Sequence, residues 1–170
     1  MTKSYHPKSN DDLVLYRLVI FNGKVDKPTD SNGLSDPYVK VFAVRNNCKD
    51  NESKELIFKT AVCKKTLTPV WNVENYFVIS YTDKIEAISV ELWDQDLLRD
   101  EFIGAAKNYI GENYIFKSEP FTKPIDEYKM FAVENTMYDS KSNGKGIVNI
   151  STYILERNAE NLAKAVNYKQ

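Results

Sequence analysis

What most constrains this chain is a succession of short β-rich runs, each closed by turn residues, with no long helical pattern between them. Val, Ile, Leu, Phe and Tyr concentrate at 13–21, 38–44, 56–62, 75–81, 85–93, 102–106, 128–133 and 147–153. Such residues fit a pleated, half-buried surface, and 85–93 alternates at Ile88, Val90 and Leu92, as a strand with one buried face does. Gly23, Pro28, Gly33, Pro69 and Gly146 punctuate the intervals with residues that favour turns. Pro37 supplies no ladder N–H, so it can only open the second strand. Strands that follow one another without intervening helices exclude βαβ units and predict an all-β, antiparallel sandwich or barrel of about eight strands.

Only the end of the chain has a helical pattern. Leu155, Ala159, Leu162, Ala163 and Val166 share one face, which predicts an amphipathic helix over 155–166. The expected organisation is therefore a loose, polar leader at 1–12, one β domain at 13–154, and a helix or tail at 155–170. With 170 residues and 42% hydrophobic content, the chain can fill one core and hardly two.

Charge narrows the partners. The 23 basic and 24 acidic residues nearly cancel to a net charge of -1, so no whole-molecule field attracts nucleic acid or a phosphate-rich surface. Any such attraction must be local, or created by a bound cation. Cys48 and Cys63 form no disulfide framework, and no apolar leader or 18-residue apolar run is present. Thr2 and the terminal Asn167-Tyr168-Lys169-Gln170 carry no lipidation signal, so a cytoplasmic protein is expected. His6 is the one histidine. Ser31, Ser35 and the cysteines therefore lack a nearby base in sequence, and a binding module rather than an enzyme is expected.

Two separated turns are dense in oxygen ligands. The first offers Asp26, Asp30 and Asp36, and the second offers Asp94, Asp96, Asp100 and Glu101. Charged turns are ordinary solvated surface when taken singly. However, Asp94 and Asp96 leave a strand at i and i+2, on the same side, where two carboxylates repel unless a cation lies between them. Calcium suits such loops, since it takes roughly six to eight oxygens in a tolerant geometry. Transition metals are disfavoured by the lack of histidine and of cysteine spacing. No twelve-residue helix-flanked calcium loop is present either.

These residues also carry a resemblance. Asp30-Ser31-Asn32-Gly33-Leu34-Ser35-Asp36-Pro37-Tyr38-Val39-Lys40-Val41 is one segment, and Lys65-Thr66-Leu67-Thr68-Pro69-Val70-Trp71-Asn72 a second. The third is Val90-Glu91-Leu92-Trp93-Asp94-Gln95-Asp96, followed by Asp100-Glu101-Phe102-Ile103-Gly104. In this order they resemble the C2 domain, a calcium-dependent phospholipid-binding β-sandwich. The resemblance implies an eight-stranded antiparallel sandwich, and the run at 147–153 implies its circularly permuted topology. It implies calcium ligands at Asp30, Asp36, Asp94 and Asp96. The fifth falls on Glu101 or Asp100, because the third loop is one residue shorter than the usual pattern.

From the same resemblance follow the expected partners: an anionic phospholipid membrane, or else a protein bound with or without calcium. Bound calcium would supply the positive field that the composition withholds. Leu34, Leu67, Leu97 and Leu98 ride on the loops as candidate membrane anchors. Lys40, Lys59, Lys64 and Lys65 form a candidate headgroup patch.

Overall fold

The computed structural model describes residues 4–7, 13–28, 31, 33–45, 53–80, 83–110, 116–118 and 131–157. Among these are nine strands: β1 (Leu13–Val25), β2 (Pro37–Arg45), β3 (Ser53–Lys59), β4 (Val70–Ser80), β5 (Ile85–Asp94), β6 (Glu101–Ile110), β7 (Phe116–Ser118), β8 (Phe131–Tyr138) and β9 (Gly144–Arg157). Eight follow one path, β3-β2-β5-β6-β8-β9-β1-β4, and the short β7 pairs with β6. All of these pairings are antiparallel. β6 meets β8 through the single pair Ala105↔Tyr138, and there the path turns over. Two four-stranded layers result, each placing one face on a shared core.

Period-two alternation builds that core. β1 contributes Tyr16, Leu18 and Ile20; β2 contributes Val39, Val41 and Ala43; β5 contributes Ile88, Val90 and Leu92. Phe77 and Ile79 of β4, Met137 of β8, and Val148 and Ile150 of β9 join it. Register aligns these sets, with Val39↔Leu92, Val41↔Val90 and Ala43↔Ile88 opposite one another across β2 and β5.

Some boundaries differ from the sequence expectation for physical reasons. β4 begins at Val70 rather than at 75, because its first residues pair with β1 (Asn22↔Val70) while much of their surface faces solvent. β8 reaches Tyr138, well past the expected 128–133. Its inward positions include Asn135 and Met137, both buried, and a polar residue facing inward breaks the apolar alternation that marks a strand. Leu155 to Arg157, expected to open a helix, instead continue β9, with Leu15↔Glu156 and Val14↔Arg157 in register with β1. Ladder bonds to β1 override a helical spacing that had only side-chain periodicity behind it. Residues 158–166 of that expected helix lie outside the described residues.

At the start of the chain, Ser4 bridges Leu56 in parallel and the Tyr5 N–H donates to the Leu56 carbonyl at 2.8 Å. The Tyr5 ring is part of the core, although residues 1–12 read as a loose leader. Its hydroxyl donates to Asp83 Oδ2 at 3.0 Å. Burial first, and the Asp83 carboxylate second, push the Tyr5 phenol well above its ordinary pKa.

Strand direction places the site. β1 ends at Val25 opposite Gly146, β2 starts at Pro37 opposite Asp94, and β6 starts at Glu101 opposite Asp94. The β1–β2, β3–β4, β5–β6 and β8–β9 connections therefore gather at one end of the sandwich. Gly146 is required there: a Cβ would collide with the Lys24 carbonyl of β1.

Candidate functional site

Asp36, immediately before β2, is the hub of this end. Its N–H donates to Asp94 Oδ1 at 2.5 Å, and its carbonyl accepts the Gln95 N–H at 3.1 Å. The two loops that carry the carboxylates are thus joined by their own hydrogen bonds, backbone to backbone and backbone to side chain. Asp94 is fully buried as the last residue of β5, so its carboxylate is held in one place. Asp36 Oδ1 accepts the Lys65 N–H at 2.7 Å, and Oδ2 accepts from the Lys64 ammonium at 3.1 Å. These donors, the Lys65 amide first, hold the Asp36 carboxyl below the ordinary carboxylate range.

The β3–β4 loop is stapled along the start of β2. Thr60 N–H donates to the Val39 carbonyl at 2.9 Å, Cys63 N–H to Pro37 at 2.9 Å, and Thr66 N–H to Ser35 at 2.7 Å. Lys65 sits in the left-handed region with φ of 53°, which is costly for a residue with a side chain. The bond from its amide to Asp36 accompanies that turn.

In the β5–β6 loop the Asp96 N–H donates to Asp100 Oδ1 at 3.4 Å, and Asp100 Oδ2 accepts from the Tyr38 hydroxyl at 2.5 Å. The Tyr38 hydroxyl is the main reason the Asp100 carboxyl lies below its ordinary pKa. Burial and the Asp100 charge raise the Tyr38 phenol. Glu101, the other candidate for the fifth ligand, is exposed. The Asp26 carboxylate lies 3.5 Å from the Lys24 ammonium. Asp30 lies outside the described residues.

The four loop leucines separate into distinct environments. Leu97 and Leu98 stand wholly exposed, at 104% and 101% of their reference areas, beside Asp96. Leu34 is half-buried. Leu67 packs against the core, and its carbonyl is tied to the Val25 N–H at 2.8 Å.

The four lysines also divide. Lys40 and Lys59 are register partners across β2 and β3. Lys40 Nζ lies 3.9 Å from the Trp93 ring centre and Lys59 Nζ 4.4 Å from that of Tyr38. Trp93 in turn meets Phe102 edge-on, with ring centres 5.4 Å apart. Lys64 instead faces Asp36 and Gln95. In the sequence Tyr38, Trp93 and Gln95 stand only as letters of the motifs. The i, i+2 spacing of Tyr38 and Lys40 is the signal that they share a face.

The β8–β9 turn abuts this end through Asp26 N–H, which donates to the Lys145 carbonyl at 3.0 Å. Asp139 Oδ1 accepts the Asn143 and Lys141 amides, each at 2.9 Å. Led by the Asn143 amide, these bonds lower its carboxyl to about 2. A carboxyl whose folded pKa is depressed stabilises fully above its unfolded value, about 3.9, and loses that contribution as pH falls toward the folded value. The Asp139 carboxyl shift in an NMR titration is expected to move near pH 2. A midpoint near 4 would show that the turn does not hold it.

Among the described residues no three His, Cys, Asp or Glu side chains already close into a metal-holding group. Asp36 and Asp94, tied through the Asp36 N–H, and Asp96 in the following loop offer only oxygen donors, which suit a hard cation such as calcium. One cation, the Lys64 ammonium, already lies against Asp36. The acidic loops at one end of a two-layer antiparallel sandwich agree with the sequence of residues 15–124, which matches the C2 domain family.

The chain belongs to the C2 domain family. A C2 domain-containing protein of Dictyostelium discoideum is 38% identical over 107 residues, covering 62% of this chain and 52% of that protein. Rabphilin-1 of Caenorhabditis elegans is 37% identical over 109 residues, covering 63% of this chain and 9% of that protein. The chain thus spans about half the length of the first relative and a small part of the second. Among solved structures, a C2 domain of plant extended synaptotagmin 1 superposes with a TM-score of 0.54 at 19% identity, over 82% of this chain and 92% of that one. A calcium-bound pair of C2 domains from extended-synaptotagmin 2 gives 0.57 at 18% identity, over 83% of this chain and 45% of that one. At such identities the likeness is one of fold. No helix among the described residues is long and apolar enough to cross a membrane.

Proposed function

We propose that this C2 domain docks reversibly on anionic membrane in a calcium-dependent manner, through the end formed by its β1–β2, β3–β4 and β5–β6 loops. The observation that carries this reading is the juxtaposition of Leu97 and Leu98, fully exposed, with the joined carboxylate loops of Asp36 and Asp94. Two adjacent, wholly exposed leucines at a loop tip make a contiguous apolar patch of the kind that marks an interaction site. Calcium held by Asp36, Asp94, Asp96 and Asp30, with Asp100 or Glu101 completing the set, would cancel the negative charge and present open positions to headgroup phosphate. Calcium and membrane would then tighten each other's binding by the same factor. Lys40 and Lys59, lying over Trp93 and Tyr38, supply a second, calcium-independent contact for headgroups.

The strand order supports reading the chain as the permuted C2 topology: the last strand, β9, lies between β1 and β8. The domain acts by binding, with no catalysis of its own, in the cytoplasm and at the membrane surface.

A second reading has one observation in its favour. The Lys64 ammonium against Asp36 is what a calcium-independent domain that binds proteins would use in place of the ion. Sedimentation with phosphatidylserine vesicles, in calcium and in chelator, separates the two. Pelleting only with calcium is expected, and Asp94→Asn should abolish it while weakening calcium binding more than tenfold in a calorimetric titration. No pelleting in either condition would turn the assignment toward the second reading, whereas equal pelleting in chelator would keep membrane docking and remove its calcium dependence.

A further inference from the structure

We propose that Lys64 is a built-in counter-cation of the carboxylate end, displaced when calcium arrives and thereby released to bind lipid phosphate. The inference rests on the calcium reading of this same site and adds a regulatory part to it. Lys64 Nζ donates to Asp36 Oδ2 at 3.1 Å and to Gln95 Oε1 at 2.7 Å. One ammonium on the β3–β4 loop therefore bridges the end of the β1–β2 loop and the start of the β5–β6 loop. It lies against an oxygen of a proposed calcium ligand, which a calcium ion and an ammonium cannot both hold closely.

The backbone around Lys64 is anchored on both sides. Cys63 N–H donates to the Pro37 carbonyl and Lys65 N–H to Asp36 Oδ1. Displacement therefore moves the side chain alone and leaves the loop in place. Side-chain exposure is 61% at Lys64 against 18% at Asp36. A pair so open to solvent is held weakly, so direct coordination by a divalent ion can replace it, whereas a buried pair would resist. Once freed, the ammonium remains tethered at the end that carries Leu97 and Leu98, within reach of headgroup phosphates.

Two consequences of opposite sign follow. Removing the charge takes a competitor and a like charge from the calcium site, so calcium binds more tightly. The same change removes a contact to anionic lipid, so the calcium-loaded domain binds vesicles less tightly. A merely structural surface pair would not produce this reversal.

The test compares the wild type with Lys64→Gln and Lys64→Arg by calorimetric calcium titration without lipid, and by sedimentation with phosphatidylserine vesicles at saturating calcium. Lys64→Gln is expected to bind calcium about three- to tenfold more tightly and vesicles about fivefold less tightly, with Lys64→Arg near wild type in both. If the wild type binds calcium and Lys64→Gln binds it equally well, the role given to Lys64 is overturned while the calcium reading stands. Calcium binding by Lys64→Gln alone would show a lysine that calcium does not displace, overturning both the proposed release and calcium dependence for the natural chain. If neither binds calcium, both fall.

Discussion

The double substitution Leu97→Ser/Leu98→Ser is expected to leave fold and calcium affinity unchanged and to lower affinity for phosphatidylserine vesicles by about a hundredfold or more. Both side chains are as exposed as they can be, so removing them takes nothing from the folded core and opens no cavity. Their worth is realised only on transfer into lipid. A fully buried leucine contributes roughly 1.5–3 kcal/mol, so two together reach about 3–6 kcal/mol, and each 1.4 kcal/mol is about tenfold in affinity. Arg99, exposed beside them, keeps its charge in the variant, so the change isolates the apolar term. Vesicle titration by tryptophan fluorescence, with thermal unfolding as the control, measures it. A loss below about threefold would mean that the loop tip stays outside the bilayer.

At the other end of the sandwich, Arg45→Ala is expected to cost about 3–5 kcal/mol of folding stability, the scale for removing one partner of a buried ion pair. Arg45 is 6% exposed, Glu55 7% and Asp83 4%. The guanidinium donates to Glu55 Oε2 at 3.1 Å, to the Asp83 carbonyl, and lies 3.7 Å from Asp83 Oδ2. Its carbon also sits over the Tyr5 ring, so one side chain ties β2, β3, the turn before β5 and Tyr5 together. Without it, two carboxylates remain in a low-dielectric environment with their counter-charge gone. Urea unfolding gives the number directly, and a loss under about 1 kcal/mol would show that water reaches the cluster. Calcium and vesicle binding of the folded fraction should not change, because the carboxylate loops lie at the opposite ends of β2 and β5.

That cluster also shows where sequence reading stops. Arg45, Glu55, Asp83 and Tyr5 lie in separate segments of the chain, each with the composition of ordinary surface. Nothing in their spacing announces burial, since the pairing of β2 with β3 and β5 and the docking of Ser4 on Leu56 bring them together. Asn135 in β8 is a similar case: an inward polar residue erases the alternation from which a strand is read. The expected helix starting at Leu155 fails at Leu155–Arg157 for the converse reason. Side-chain periodicity at a chain end is weak against a ladder that β1 already offers.

The carboxylate end was legible because its signal is local. Asp94 and Asp96 are two apart on leaving a strand, and Pro37 follows Asp36, so the chemistry of each loop is written in adjacent letters. The β-rich runs and their turns set the all-β class by the same kind of short-range rule, since a period of two comes from the pleat itself. Distance in sequence decides the rest. That Asp36 N–H meets Asp94, that Asp100 meets Tyr38, and that Lys64 turns from the lysine patch to Asp36 depend on which loops the sandwich brings to one end. The sequence by itself determined where the oxygen-rich turns lie and that strands would carry them. Only the tertiary structure decided which of those charges touch, because contact between loops is set by strand register and a shared core.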